Sequence, residues 1–170
     1  NYIADIDAGA FSDEKDFIIR NRMLNAGSGF TFKNDMITLT GNFQYTRIQR
    51  NYTNDSIDRP GFTKYMTNDY NGDSKFAELY ATIQLGSGFT LVQGGDFRYN
   101  NMNNQYRSLS SFGPFNTDFK DTSLSQTSVY ASLNYASKNQ KLFVEIGGRL
   151  NVHSRYGNNN TYTFNPSYAF

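Results

Sequence analysis

The sequence predicts an all-β fold: an antiparallel meander of about eight long strands that forms part of a transmembrane β-barrel. Three observations point there. Apolar and polar residues alternate at strict period two over stretches of about a dozen residues, longer than the ~5–6 of an ordinary strand. Aromatic residues make up 16% of the 170 positions while all hydrophobic residues reach only 38%, a balance that suits a sheet showing apolar side chains on one face only. Tight polar turns near 34, 87 and 139 are separated by long polar stretches, and short turns at one end with long loops at the other are the pattern of outer-membrane barrels.

The elements follow in order. Tyr2 to Gly9 reads as a first strand, before a polar loop from Ser12 to Asp16. A strand from Phe17 to Phe32 turns through Lys33, Asn34 and Asp35 (33–35) into Ile37, Leu39, Gly41, Phe43 and Tyr45, which alternate with polar partners. A long loop is expected over about 50–74. Ala77, Leu79, Ala81, Ile83 and Leu85 then alternate with Glu78, Tyr80, Thr82 and Gln84. The turn 86–88 (Gly86-Ser87-Gly88) leads into a strand from Phe89 to about Asn100, where Gly94-Gly95 suggests a bulge or bend. A second long loop is expected over about 101–125. Val129, Ala131, Leu133 and Tyr135 form the next apolar parity, and the turn 137–140 leads to Leu142, Val144, Ile146, Gly148, Leu150 and Val152. A polar gap at Tyr156–Asn160 precedes a last strand, Thr161 to Phe170. Even positions 142–152 and odd positions 37–45, 77–85 and 129–135 should therefore face away from the lumen, on the face opposite Glu145.

Composition removes whole classes of function. With 16 Lys+Arg against 15 Asp+Glu and no basic cluster longer than two residues, the chain lacks the field of a nucleic-acid binder. It has no cysteine and one histidine, so disulfide frameworks, thiolate zinc sites and multi-histidine metal sites are excluded. No run of 18 apolar residues exists for a transmembrane helix, and no basic and apolar leader opens the chain. No cofactor is expected.

The chemistry-bearing residues read mainly as a barrel lining. His153 shares parity with Glu145, Arg149 and Asn151, a polar lining rather than a catalytic base. Glu145 with Arg149, and Asp96 with Arg98, are same-face charges that suit a lumen salt-bridge network, with substrate contact as the sharper alternative. Asp69-Tyr70-Asn71-Gly72-Asp73 places the oxygen ligands Asp69, Asn71 and Asp73 around a glycine, a weak calcium-loop pattern without the downstream bidentate Glu. Gly27-Ser28-Gly29 and Gly86-Ser87-Gly88 precede no helix and read as turn or strand-end glycines.

The run from Gly147 through Asn151, His153 and Tyr156 to Asn159, then Tyr162-Thr163-Phe164-Asn165-Pro166-Ser167-Tyr168, resembles the barrel of TonB-dependent outer-membrane receptors. The likeness is closest to the cobalamin-receptor-like branch of Bacteroidetes-type bacteria, and residues 54–59 and 94–99 are similar to it as well. Such receptors carry a plug domain, a TonB box and a 22-stranded barrel. The resemblance therefore implies that residues 1–170 are a partial barrel without its plug, in the outer membrane of a Gram-negative bacterium. It implies no enzyme but energy-coupled uptake of a large scarce solute: cobalamin, a siderophore or a glycan. The partners implied are outer-membrane lipid, a small-to-medium solute, and the TonB complex acting through the absent plug region. The ligand would be held by Tyr52, Phe62, Tyr65 and Tyr70 of the long loops and by Arg98 and Arg149 of the lumen face. A complete small eight-stranded barrel with a structural or adhesion role, to which the terminal Tyr168-Ala169-Phe170 would give an insertion signal, is the alternative. A soluble β-sandwich binding module is a further one.

Overall fold

The structure, a computed structural model, describes residues 2–4, 14–55 and 63–170. Eight strands make one sheet: β1 (Tyr2–Ala4), β2 (Glu14–Lys33), β3 (Ile37–Asn54), β4 (Thr63–Gly86), β5 (Phe89–Ser110), β6 (Gly113–Ala136), β7 (Leu142–His153) and β8 (Gly157–Tyr168). Their spatial order is their sequence order, so the sheet is a pure meander with β1 and β8 at its two ends. Among the described residues no helix is long and apolar enough to cross a membrane, which leaves crossing by strands untouched.

The tight connections are built by side chains that stand in for backbone partners. Asn34 Oδ1 accepts the amides of Met36 and Ile37 between β2 and β3. Ser87 and Gly88 both have positive φ, the geometry of a two-residue hairpin turn, between β4 and β5. Ser137 Oγ accepts the Leu142 amide between β6 and β7, and His153 Nδ1 accepts those of Arg155 and Tyr156 before β8.

The long polar stretches differ from expectation. Residues 50–54 continue β3, 63–74 open β4, and 101–125 lie almost wholly in β5 and β6, which reverse at 111–112. Residues 14–16 belong to β2 rather than to a loop, and 157–160 open β8 rather than filling a gap. The expected extension of the first strand over 5–9 lies outside the described residues. The physical reason is common to all of these. Ladder hydrogen bonds come from the backbone, so a strand wet on both faces pairs as well as any other while showing no hydrophobic alternation.

Two compact units can be distinguished. One comprises Ala26–Tyr45, Ser74–Tyr99 and Leu124–Phe170; the other comprises Asn1–Asn25, Thr46–Asp73 and Asn100–Ser123. In the first unit the antiparallel register of β6 and β7 pairs Leu133 with Ile146, Ala131 with Gly148 and Val129 with Leu150. On β8, Phe164 and Tyr162 extend the rungs of Ile146 and Gly148. Alternation puts Asn134 opposite Glu145, Tyr130 opposite Arg149 and Ser128 opposite Asn151 on the other face, so Glu145 and Leu150 point opposite ways. The apolar face is bare: Val129 and Ile146 are each 56% exposed and Leu79 51%. A contiguous apolar surface of this kind is one that a membrane or a partner surface covers. The one proline of β8, Pro166, faces Val144 from the end strand, where a missing donor costs least.

Candidate functional site

The polar face of the first unit carries a chain of charged and phenolic groups that crosses five strands. Asn42 on β3 donates to Glu78 Oε2 on β4 at 3.2 Å, and the Tyr130 hydroxyl on β6 donates to Glu78 Oε1 at 3.1 Å. Tyr130 reaches Glu78 by passing over β5 at Gly94. A Cβ there would stand 2.9 Å from the Tyr130 hydroxyl and 2.5 Å from Tyr80 Cβ, so glycine is required by space and not by a bend. The Arg149 guanidinium lies 5.4 Å from the centre of the Tyr130 ring.

Arg149 does not pair with Glu145 on its own strand. It reaches across β6 to Asp96 Oδ2 on β5 at 2.6 Å, while its Nε donates to Asn151 at 2.8 Å. The Asp96 side chain is only 2% exposed. Its Oδ1 is buried without a hydrogen bond, with Arg98 Nε 3.6 Å away. Arg98 in turn lies 5.2 Å from the centre of the Phe76 ring. Ser128, which faces Asn151 across β6 and β7, is fully buried. The expected same-face pair of Asp96 and Arg98 is thus present, but the closer partner comes from two strands away. Arg98 and Arg149 converge on one carboxylate.

In the second unit, rings and amides gather. Tyr52 on β3 and Tyr70 on β4 meet edge-on at 5.9 Å, and Phe17 on β2 closes on Tyr52 at 6.1 Å. The Tyr70 hydroxyl accepts from Asn68, whose own amide oxygen accepts from the buried Asn104 at 2.6 Å. Arg50 donates to the Tyr52 hydroxyl at 3.1 Å. The arrangement offers ring faces bounded by amides and one guanidinium, the surface an amphipathic ligand would use.

The remaining candidates are dispersed. Tyr65 is 41% exposed and sits at odd parity on β4, opposite to Tyr70; Phe62 lies outside the described residues. Asp69, Asn71 and Asp73 stand on one extended strand, ~7 Å between neighbours, rather than around a loop. Asn51 bonds Asp69 at 2.6 Å, Gln49 bonds Asn71, and Arg47 stands 3.9 Å from Asp73. No group of three or more acidic or histidine side chains that could hold a metal exists among the described residues. His153 serves as a backbone acceptor at the turn before β8 and stacks on Tyr156 at 4.6 Å.

A family model described as TonB dependent receptor-like, beta-barrel matches residues 1–170. The chain belongs to that family. A search of curated proteins finds no match. TonB-dependent receptors are outer-membrane transport proteins of Gram-negative bacteria and carry out no reaction of their own, so the faces described above acquire their settings. A receptor barrel of this family stands in membrane lipid, which the bare apolar face suits. The charged network is held by side chains from neighbouring strands.

Sequence reasoning named Asp96, Arg98, Arg149, Tyr52 and Tyr70 but missed Glu78, Tyr130, Phe17, Asn68 and Asn104. A signal for two of the missed residues existed. Tyr130 follows Glu78 by 52 positions and Arg149 follows Asp96 by 53, close to the spacing of the tight turns.

Proposed function

We propose that this barrel segment takes part in energy-coupled import of a large, scarce, amphipathic solute, drawn from cobalamins, siderophores and glycans. The observation that carries the reading is the cluster of Phe17, Tyr52 and Tyr70 bounded by Asn68, Asn104 and Arg50. Rings take the apolar surface of such a ligand while amides take its hydroxyls or amides, without any group poised for chemistry. Tyr52 and Tyr70 are the capture residues. Arg98 and Arg149 line the route and turn a charged wall toward the passing solute. Within the family, the texture of residues 147–168 favours the cobalamin-receptor-like branch of Bacteroidetes-type bacteria. Coupling to TonB would run through a plug region and not through this wall.

The test uses the full receptor in detergent, titrated calorimetrically with cyanocobalamin, a ferric siderophore and an oligosaccharide in turn. One of the three should bind, and the Tyr52→Ala/Tyr70→Ala pair should weaken it by about tenfold or more, equal to ~1.4 kcal/mol. Unchanged affinity in the double variant would overturn the assignment of these rings to capture.

A further inference from the structure

Along β3 the odd positions change character. Ile37, Leu39, Gly41 and Phe43 give way to Arg47, Gln49, Asn51 and Thr53. On β4 the same parity runs from Leu85, Ile83, Ala81, Leu79 and Ala77 to Lys75, Asp73, Asn71, Asp69 and Thr67. On β2 the even positions run from Phe32 and Phe30 through Leu24 to Arg22 and Arg20. The Phe30 ring covers Gly41, so even positions of β2 share a face with odd positions of β3. The apolar portions of β3 and β4 are about the 9–11 residues that a tilted strand needs to cross a bilayer. On the same parity of β3 and β4 the polar portions follow these apolar ones.

Along those polar portions lies a cleft of about 420 Å³, lined by Arg20, Arg22, Gln49, Arg50, Asn51 and Asp69 among others. On this face two guanidinium groups, Arg20 and Arg22, stand against the Asp69 carboxylate, while the Arg50 guanidinium turns to the Tyr52 hydroxyl on the other face. Asp69 is already bonded by Asn51. Among the described residues Arg20 and Arg22 have no ion pair, and both are exposed. Arg47, on the same parity, stands in contrast with Asp73 beside it. Two unpaired planar forks one pleat apart on a lipid-facing parity, just past exposed Leu24, are complementary to phosphate oxygens held at the membrane surface. The volume falls within the ~300–1,000 Å³ of ordinary ligand clefts.

We propose that the Arg20–Arg22 cleft binds the phosphate-bearing headgroup of a membrane lipid on the outside of the barrel. The arginines clamp the phosphate, and exposed Leu24 on the same parity meets the start of the acyl chains. This site is separate from the solute cluster, since Tyr52 and Tyr70 have the opposite parity to Asn51 and Asp69 on the same strands.

The experiment is native mass spectrometry of the full receptor released from vesicles of phosphatidylcholine containing phosphatidic acid as the phosphomonoester probe. The wild type should retain phosphatidic acid over phosphatidylcholine by about tenfold, and Arg20→Gln/Arg22→Gln should erase the preference. Arg20→Lys/Arg22→Lys should keep part of it, and Arg47→Gln should leave it unchanged. Arg22→Gln alone, should the double variant fail to show heat-modifiable gel mobility, should still lower retention about threefold. Equal retention by the wild type and the Gln variants would overturn the proposal. So would displacement of the lipid by millimolar inorganic phosphate, which would make the cleft a site for free anions. Solute titration of the same variants separates the two readings, because it should not change.

Discussion

Gly94 shows how one position can decide a network. Glycine in a strand interior weakens the strand, yet here its missing side chain is the space through which Tyr130 reaches Glu78. Gly94→Ala should break that hydrogen bond and push Tyr80 aside, costing about 1–3 kcal/mol as overpacking does; denaturant unfolding of the full receptor measures it, and a neutral result would mean that the wall gives freely. Arg149 is the second such residue. Asp96 is nearly inaccessible and Arg98 stands beyond hydrogen-bond reach, so Arg149→Ala strands a buried carboxylate. The expected loss is about 3 kcal/mol, with Asp96→Asn/Arg149→Ala recovering much of it because the uncompensated charge is gone. Neither partner was legible from sequence neighbours. Asp96 and Arg98 lie two positions apart and were read as a pair, whereas Asp96 and Arg149 come together only because the meander returns to the same height after two strands.

At the scale of elements, the strands that cross the apolar region were legible and their continuations were not. Val129 to Tyr135 and Leu142 to Val152 alternate because one face meets an apolar surrounding and the other does not, and the register of β6 on β7 follows that alternation rung by rung. Residues 101–125 show no such contrast, being rich in Asn, Ser and Thr at both parities, yet β5 and β6 run through them. This hairpin carries its own fastening. Arg107 grips both oxygens of Asp118 in a two-pronged contact, with Nη2 donating to Oδ2 at 3.0 Å. That hydrogen bonding holds the Asp118 carboxyl below its ordinary range and raises Arg107 further, with desolvation opposing both shifts. A depressed carboxylate lends stability above its unfolded-state pKa and loses it as pH falls through the folded value. Hydrogen exchange across residues 105–120 of the full receptor, corrected for intrinsic rates, should therefore lose protection on acidification below about pH 4. Asp118→Asn should be less protected at pH 7 and should lose less on acidification. Identical profiles would show that the pair does not fasten the hairpin.

For the molecule as a whole, the central claim is that its two faces meet different solvents. The apolar parity exposes Ile146, Val129 and Leu79, while the polar parity buries Asp96 and Ser128. A soluble sheet would have to hide the first face, and a receptor barrel presents it to lipid. The family follows from the match over residues 1–170, and the proposed solute class rests on the ring cluster around Tyr52. The most direct measurement of the claim is refolding of the full receptor into phosphatidylcholine vesicles, with stability read from denaturant titration of two substitutions on facing sides of the sheet. Ile146→Arg places a charge in the middle of the apolar face, and Asn134→Arg places the same charge directly opposite Glu145 on the polar face. Ile146→Arg should destabilise by about 2–4 kcal/mol and Asn134→Arg by less than about 1 kcal/mol. Equal losses from the two, or none from Ile146→Arg, would contradict the account, because the apolar parity would then not face lipid.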